Sequence, residues 1–161
     1  MADGVVIVNM QEILQAIDKK ADQISQGAQI GIGRAGLAVE RQAKINANTG
    51  TRRYKIRKSK RTGSEWLDID PKKHIGPSGK GPNVVTGNLR RSIRTTVHYG
   101  FGSYVAEVGP TMIYARQVEK GGGRWKSGVK YPYLEPAATT LVSNGTIQKV
   151  FITAIREKMR G

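Results

Sequence analysis

Side chains that could carry acid–base or metal chemistry are few in this 161-residue chain. His74 and His98, its two histidines, have no carboxylate at metal-ligand spacing, and we expect surface or packing roles for both. Glu65, Asp68 and Asp70 come closest to a metal-binding cluster, but we interpret them as solvated acids that balance neighbouring lysines. The absence of cysteine excludes disulfides, thiolate catalysis and cysteine-ligated metals. We therefore expect no enzymatic activity, no cofactor and no bound metal.

Two glycine-rich segments raise the question of phosphate binding, and we reject both. GIGRAG at 31–36 matches the dinucleotide-binding fingerprint, which requires a strand immediately before it and a turn at a helix start. Here the glycines lie in the middle of a helical pattern. GPSGKGP at 76–82 is not a Walker A loop, because Gly81 follows the Gly-Lys pair in place of Ser or Thr.

Positive charge is concentrated in the middle of the chain. The net charge is +15, yet residues 1–50 carry five basic and five acidic side chains, whereas residues 51–100 carry thirteen basic against three acidic. This asymmetry indicates contact with a polyanion or an acidic protein face, and a solvated basic surface is the alternative. The candidate contact residues are Arg52, Arg53, Lys55, Arg57, Lys58, Lys60, Arg61, Lys72, Lys73, Arg90, Arg91 and Arg94.

The first third of the chain predicts a long helix. A β-branched run at 5–8 predicts a short strand, and residues 9–46 have helical periodicity. One stripe at spacings of four and seven is expected to face inward: Ile13, Ile17, Ile24, Ala28, Ala35 and Val39. Gly27, Gly31 and Ala35 form a ridge of small residues, which indicates either a kink or the close approach of another backbone.

Residues 51–82 differ from their surroundings. They hold ten basic against three acidic side chains, with Pro, Gly and Ser concentrated towards the end. This composition predicts a long loop or extended arm with a short hairpin around Thr62 and Gly63. The bulky apolar residues available as anchors are Tyr54, Ile56, Trp66, Leu67, Ile69 and Ile75.

Strands and helices follow the arm. Alternation over 93–99 and 104–108 predicts a β-hairpin that Pro110 ends. Residues 112–121 predict a short helix, with Ile113, Tyr114 and Val118 inward and Gly121 as its stop. A glycine-rich loop precedes helical periodicity over 134–159, which Asn144-Gly145 kinks or splits.

These elements predict an α+β fold: a long N-terminal helix and a C-terminal helix packed on a small antiparallel sheet, with a long basic loop insertion. We expect one domain over 1–161, divided into 5–50, the insertion at 51–82, and 84–160. The longest apolar run is only four residues, and no secretory signal pattern is present. We expect the chain neither to span a membrane nor to be secreted by a standard signal.

Three segments occur in a fixed order: TGNLRRSI at 86–93, YARQVEKG at 114–121 and YPYLEPA at 131–137. Together they resemble the signature of the tail-completion, or neck, proteins of long-tailed bacteriophages. The resemblance covers 84–160 well and 5–50 loosely, and leaves out the insertion. The matching residues are Thr86, Gly87, Leu89, Ser92, Ile93, Tyr114, Ala115, Val118, Glu119, Gly121, Pro132, Tyr133, Leu134, Pro136 and Ala137.

The resemblance implies a structural virion protein, made in the host bacterial cytoplasm, that joins head to tail. It implies a homo-oligomeric ring around the DNA channel, with a hexamer favoured because siphophage tail rings are hexameric. The implied partners are the head connector or stopper, the tail terminator or tail tube, and the DNA in the channel as a further candidate. The Gly27, Gly31 and Ala35 ridge and the loop 121–128 are candidates for the subunit interface, and we expect the arm to favour an acidic protein face over DNA.

A second hypothesis belongs to a different class. The chain is then a small nucleic-acid-binding or processing protein, in which basic residues follow phosphates and Tyr54 and Trp66 stack on bases. No recognition helix, zinc finger or aromatic sheet signature accompanies those residues.

Overall fold

The computed structural model describes residues 10–48, 54–69, 82, 87–100, 102–121 and 130–160. The predicted strand at 5–8 lies outside these ranges. The helices are α1 (Met10–Asn46), α2 (Asn88–Ser92), α3 (Ala115–Lys120), α4 (Leu134–Ser143) and α5 (Thr146–Arg160). The strands are β1 (Tyr54–Lys58), β2 (Glu65–Ile69), β3 (Ile93–Gly100) and β4 (Ser103–Pro110). The predicted α+β class is confirmed: α1 and α5 pack against a two-stranded antiparallel sheet.

The strands form two separate antiparallel hairpins. β3 pairs with β4 from Ile93 opposite Pro110 to Gly100 opposite Ser103, and alternate residues of both strands are the less exposed ones, as predicted. β1 pairs with β2 inside the basic insertion, around a turn in which Gly63 has φ +67°. The hairpin predicted at Thr62 and Gly63 is therefore present, and it does not join the β3–β4 sheet.

α1 is the longest element and packs on α5, α4 and the β3–β4 sheet. The buried residues of α1 are small, because other elements of the same chain pack closely against its backbone. A Cβ atom at Gly27 would lie 2.7 Å from Cα of Ile155, and one at Gly31 would lie 2.8 Å from the Phe151 ring. The sequence left two alternatives for the small-residue ridge, a kink or the close approach of another backbone. The structure shows the close approach.

The same contacts correct one expectation. We proposed the ridge of Gly27, Gly31 and Ala35 as part of a subunit interface, and that prediction is wrong. Gly27 and Gly31 lie against α5 of their own chain, and all three residues are buried. The other candidate, loop 121–128, lies outside the described ranges apart from Gly121.

The predicted inward stripe of α1 is only half right. Ala35 is buried and Ala28 and Val39 are half-buried, but Ile13, Ile17 and Ile24 are exposed. For Ile13 and Ile17 the reason is that α5 and the β3–β4 hairpin are shorter than α1. The Lys20 Nζ donates to the carbonyl of Met159, near the end of α5, and Tyr104, near the tip of the β3–β4 hairpin, contacts Ser25. The first turns of α1 extend past both.

The short helix α3 begins later than the sequence suggested. Tyr114 is its N-cap, so Ile113 lies in the preceding turn and is fully exposed at 100%, contrary to its predicted inward position. Tyr114 is 41% exposed, whereas Ala115 and Val118 are buried. Gly121 ends α3, as predicted, with φ +73° and its N–H bonded to the Gln117 carbonyl.

The last helical region is split, as the Asn144-Gly145 pair indicated. Gly145 has φ +71°, a left-handed conformation that favours glycine, and α5 starts at the next residue. Val150, Phe151 and Ile155 of α5 are half-buried and Ala154 is buried. No helix in the described part of the chain has the length and apolar character needed to cross a membrane.

Candidate functional site

The three ordered segments meet in one hydrophobic cluster. Ile93 of the first segment is fully buried, and it shares the cluster with Val118 of the second and with Tyr133 and Ala137 of the third. Leu89 and Leu134 pack against this cluster from outside. Segments that are far apart in the sequence therefore supply one core.

Glu119 joins the second segment to the third. Its carboxylate oxygens accept hydrogen bonds from the backbone N–H groups of Tyr133 at 2.9 Å, Leu134 at 3.1 and 3.2 Å, and Glu135 at 2.9 Å. The first four N–H positions of a helix have no partner within it, and α4 starts after its N-cap Tyr133. Counted from the N-cap, these four positions are Tyr133, Leu134, Glu135 and Pro136, and the proline has no N–H. One carboxylate and one proline therefore leave no unpaired donor at the start of α4.

Tyr133 ties this junction to α1. Its side chain is 1% exposed, and its carbonyl accepts a hydrogen bond from Nδ2 of Asn46 at 3.0 Å. Burial, with the nearby Glu119 carboxylate and Tyr114, raises the pKa of Tyr133 far above its ordinary value. The phenol is thus neutral at any ordinary pH and acts as a packing group.

The first segment is a short helix leading into a strand. Gly87 has φ +75° and is the N-cap of α2, and its carbonyl accepts the N–H of Arg91 at 3.0 Å. The buried Ser92 hydroxyl donates to the Leu89 carbonyl at 2.8 Å. The Ser92 carbonyl accepts the N–H of Thr111 at 3.2 Å, which links this segment to the end of β4. Thr86 lies outside the described ranges.

The remaining motif residues are also placed as structural groups. Pro132 is half-buried beside the buried Tyr131, whose N–H donates to the Val118 carbonyl at 3.0 Å. Burial raises the pKa of Tyr114 and that of Tyr131. Within the described ranges, no group of three or more His, Asp or Glu side chains could hold a metal ion.

Four cations of the basic hairpin β1–β2 are exposed: Arg57, Lys58, Lys60 and Arg61. The Ser59 hydroxyl accepts hydrogen bonds from the N–H groups of Arg61 and Thr62 and so supports the turn. In the strand register Glu65 lies opposite Lys58 and Asp68 opposite Lys55, whereas Asp70 lies outside the described ranges.

Three further candidate arginines lie at the junction of α2 and β3. Arg90, Arg91 and Arg94 are exposed, and Arg91 donates to Oδ1 of Asn88 at 2.8 Å. His98, further along β3, is an exposed residue 3.4 Å from Glu107, as expected of a surface histidine. Arg52, Arg53, Lys72, Lys73 and His74 lie outside the described ranges.

Sequence reasoning missed the role of Glu40, which is half-buried. Its carboxylate accepts hydrogen bonds from Lys44 and, at 2.7 Å, from Thr95 of β3. Burial opposes ionisation, but the Lys44 and Thr95 hydrogen bonds outweigh it and hold the pKa of Glu40 below its ordinary value. The Glu40–Lys44 spacing could have indicated the ion pair, whereas the contact with Thr95 depends on the tertiary fold.

An apolar groove was also missed. Its floor is α1, one wall is β4 and the other is formed by α3, α4 and α5, and its volume is about 640 Å³. Seven half-buried apolar residues line what we call the groove, together with the charged residues Glu119, Lys120 and Glu135; the seven are Ile32, Val39, Ala106, Val108, Leu134, Ala138 and Ile147. No short motif predicts it, because its lining comes from five separate elements.

Comparison with known proteins gives no relative: no protein-family model, no curated protein and no solved structure matches this chain. The resemblance of the three segments to phage neck proteins therefore remains a prediction from the sequence.

Proposed function

We propose that this chain is a structural subunit of a bacteriophage neck, forming a ring that joins the head connector to the tail around the DNA channel. The observation that carries the proposal is the convergence of the three ordered segments. Ile93, Val118 and Tyr133 share one cluster, and Glu119 caps the helix that the third segment starts. These residues, which match the signature of a family of structural proteins, thus have structural roles in this chain.

The distribution of charge supports the same proposal. The exposed cations of the β1–β2 hairpin and of the α2–β3 junction form basic surfaces suited to acidic partners. A neck offers two such partners, the channel DNA and the acidic faces of adjoining rings. We favour the protein faces for the hairpin, because a dense row of cations on phosphates would oppose the passage of DNA during ejection.

The test is genetic and visual. The coding gene is deleted from its phage, and particles are examined by electron microscopy with and without the wild-type chain supplied from a plasmid. We expect filled heads and free tails without the chain, joined particles with it, and antibody label at the neck. Joined, infectious particles in the absence of the chain would exclude the proposed function.

The exposed hairpin also favours a second candidate, direct binding of nucleic acid by the isolated chain. Arg57, Lys58, Lys60 and Arg61 would contact phosphates, and affinity would fall steeply with salt. Fluorescence anisotropy with duplex DNA at several salt concentrations tests this. Tight binding by the monomer, lost when Lys60 and Arg61 are both changed to Glu, would favour the second candidate over the neck subunit.

A further inference from the structure

The outer side of α5 carries a row of cations. Lys149, Arg156 and Arg160 are exposed, and the exposed Thr153 lies between the first two. At 3.6 residues per turn these four positions fall within about 60° of the helix circumference. They extend over about 16 Å of the helix at 1.5 Å per residue. We call these four residues the basic face of α5.

The packing of α5 on α1 fixes the direction of the basic face. Ala154 is buried, and the backbone of Ile155 lies close to Gly27 of α1. The Phe151 ring lies close to Gly31. On the helix circumference these three residues of α5 centre about 180° from the basic face. The basic face therefore points away from the fold, and the whole row is available to one partner.

The positive charge of the basic face is not compensated within the described residues. Among them, Lys149, Arg156 and Arg160 form no ion pair and no side-chain hydrogen bond. Glu157 is the single acidic residue of α5, and its carboxylate is bonded to Arg34 of α1 at 2.7 Å.

The stability of the helix does not account for the row. Arg160 lies in the last turn, where a cation interacts favourably with the helix macrodipole. Lys149 is the fourth residue of α5, close to the positive end of that dipole, where a cation is unfavourable. Arg156 and Arg160 are four residues apart, a spacing at which like charges repel. A bound anion would offset both unfavourable terms.

The side-chain types indicate a phosphate backbone in preference to an acidic protein face. Lysine, arginine and threonine are among the groups that contact phosphate oxygens in protein–DNA complexes. The centre of a protein interface is instead depleted of charged residues and enriched in aromatic residues. The large hydrophobic residues that α5 exposes, Ile152 and Met159, lie about 80° to one side of the basic face.

We propose that the basic face of α5 binds the phosphate backbone of duplex DNA. Each of its three cations neutralises one phosphate, and the Thr153 hydroxyl donates to a phosphate oxygen. In the proposed neck this DNA is the DNA of the channel, and to that extent the inference rests on the proposed function. It deepens that function by naming the surface that faces the DNA.

Three phosphate contacts should give weak binding that depends steeply on salt. Each neutralised phosphate contributes about −0.9 to the slope of log K against log salt concentration, so the basic face should contribute about −2.7. Binding without base contacts has dissociation constants of about 10⁻⁴–10⁻⁶ M and lets a protein slide along DNA. Contacts of this strength are compatible with the passage of DNA during ejection.

The first experiment measures the salt slope by fluorescence anisotropy, with the purified chain and a labelled duplex between about 50 and 200 mM salt. Lys149→Gln and Arg156→Gln should each make the slope less negative by about 0.9, whereas Arg156→Lys keeps the charge and should keep the slope. The matched control is Lys158→Gln, because Lys158 is an exposed cation on the opposite side of α5 and should not change the slope. Glutamine is a good helix former, and equal circular dichroism spectra should accompany these results.

The second experiment separates α5 from the β1–β2 hairpin. Arg156→Glu with Arg160→Glu exchanges two positive for two negative charges on the basic face, and Lys60→Glu with Arg61→Glu makes the same exchange on the hairpin. The α5 pair should remove detectable DNA binding at about 150 mM salt, and the hairpin pair should retain it. Polyglutamate should displace the DNA less well than unlabelled duplex at the same concentration of negative charge.

Four outcomes would overturn the proposal. They are a wild-type chain that does not bind the duplex at about 50 mM salt, an equal change of slope for Lys158→Gln and Arg156→Gln, loss of binding through the hairpin pair alone, and equal displacement by polyglutamate and duplex. The last result would mean that the basic face receives an acidic protein. Because these measurements use the purified chain, their failure leaves the neck proposal standing, and the particle assay tests that proposal separately.

Discussion

Both carboxylate oxygens of Glu119 accept a hydrogen bond from the backbone N–H of Leu134, at 3.2 and 3.1 Å. Glu119 lies near the end of α3 and Leu134 is the first residue of α4, so this side chain fixes the two helices relative to each other. The carboxylate therefore links the two helices directly across the sequence segment that separates them.

Replacing Glu119 with Ala should destabilise the fold by about 2 kcal/mol, because it removes a charged acceptor from three N–H groups. Glu119→Gln keeps one acceptor oxygen and should lose less. The control is Glu107→Ala, an exposed glutamate whose removal should change the free energy of unfolding by less than about 0.5 kcal/mol. Urea denaturation measures all three variants, and equal stability of Glu119→Ala and Glu107→Ala would contradict the capping role.

Removing the Ser92 hydroxyl should have a smaller effect. Ser92→Ala loses one hydrogen bond to the Leu89 carbonyl in a buried position, and we expect a cost of about 1 kcal/mol. Urea denaturation should show the loss with no change in the slope of the transition. If Ser92→Ala is as stable as the wild type, water or another donor must replace the hydroxyl in bonding to the Leu89 carbonyl.

The glycines of α1 should respond to alanine with opposite signs. Gly27→Ala places a Cβ 2.7 Å from the Ile155 backbone, so α5 must shift and the fold should lose about 1–3 kcal/mol. Gly33→Ala meets nothing closer than 4.0 Å and should gain up to about 1 kcal/mol from helix propensity. Thermal unfolding of the two variants measures the difference, and a stabilising Gly27→Ala would mean that α1 and α5 can separate without cost.

Glu40 should make stability depend on pH in the acid range. Its pKa in the folded chain lies below the ordinary value of 4.5, so its contribution is full above that value and is lost as the pH falls through the folded pKa. Glu40→Gln should therefore lower the free energy of unfolding at pH 7 and flatten its decline below about pH 4.5. Urea titrations from pH 7 to pH 3 test this, and a Glu40→Gln curve parallel to that of the wild type would show that other groups cause the acid loss.

Deleting residues 52–80 and bridging the ends with a short Gly-Ser linker should leave a folded domain. The reason is that β1 and β2 pair with each other and not with the β3–β4 sheet. Under the proposed function the shortened chain should assemble poorly with its neighbouring rings. If it joins heads to tails normally but the particles lose or retain DNA abnormally, the hairpin contacts DNA and the preference for a protein face is wrong.

Local patterns in the sequence predicted the elements well. The limits of α1, the alternation of β3 and β4 and the break at Gly145 depend on neighbouring residues, and all three agree with the structure. The predicted inward position of Ile113 is wrong because periodicity does not show that the helix starts three residues later than expected, at Ala115.

Properties that depend on distant partners could not be predicted. Nothing local distinguishes the exposed Ile17 from the buried end of the same stripe, since the difference is where α5 stops. The small residues Gly27 and Gly31 indicated that another backbone packs closely on α1. The sequence does not tell whether that backbone belongs to the same chain, as α5 does. The role of Glu119 needs the position of α4, which lies beyond the glycine-rich loop.

The contact between Gly27 and Ile155 also constrains the order of events during synthesis. The two residues are far apart in the sequence, and the ribosome releases α5 long after α1. The glycine face of α1 is therefore open to water and to other nascent chains until α5 emerges. Native contacts of such long sequence separation slow folding and expose intermediates to aggregation. Truncation before Thr146 should consequently yield insoluble protein, and expression at lower temperature should favour the full-length chain.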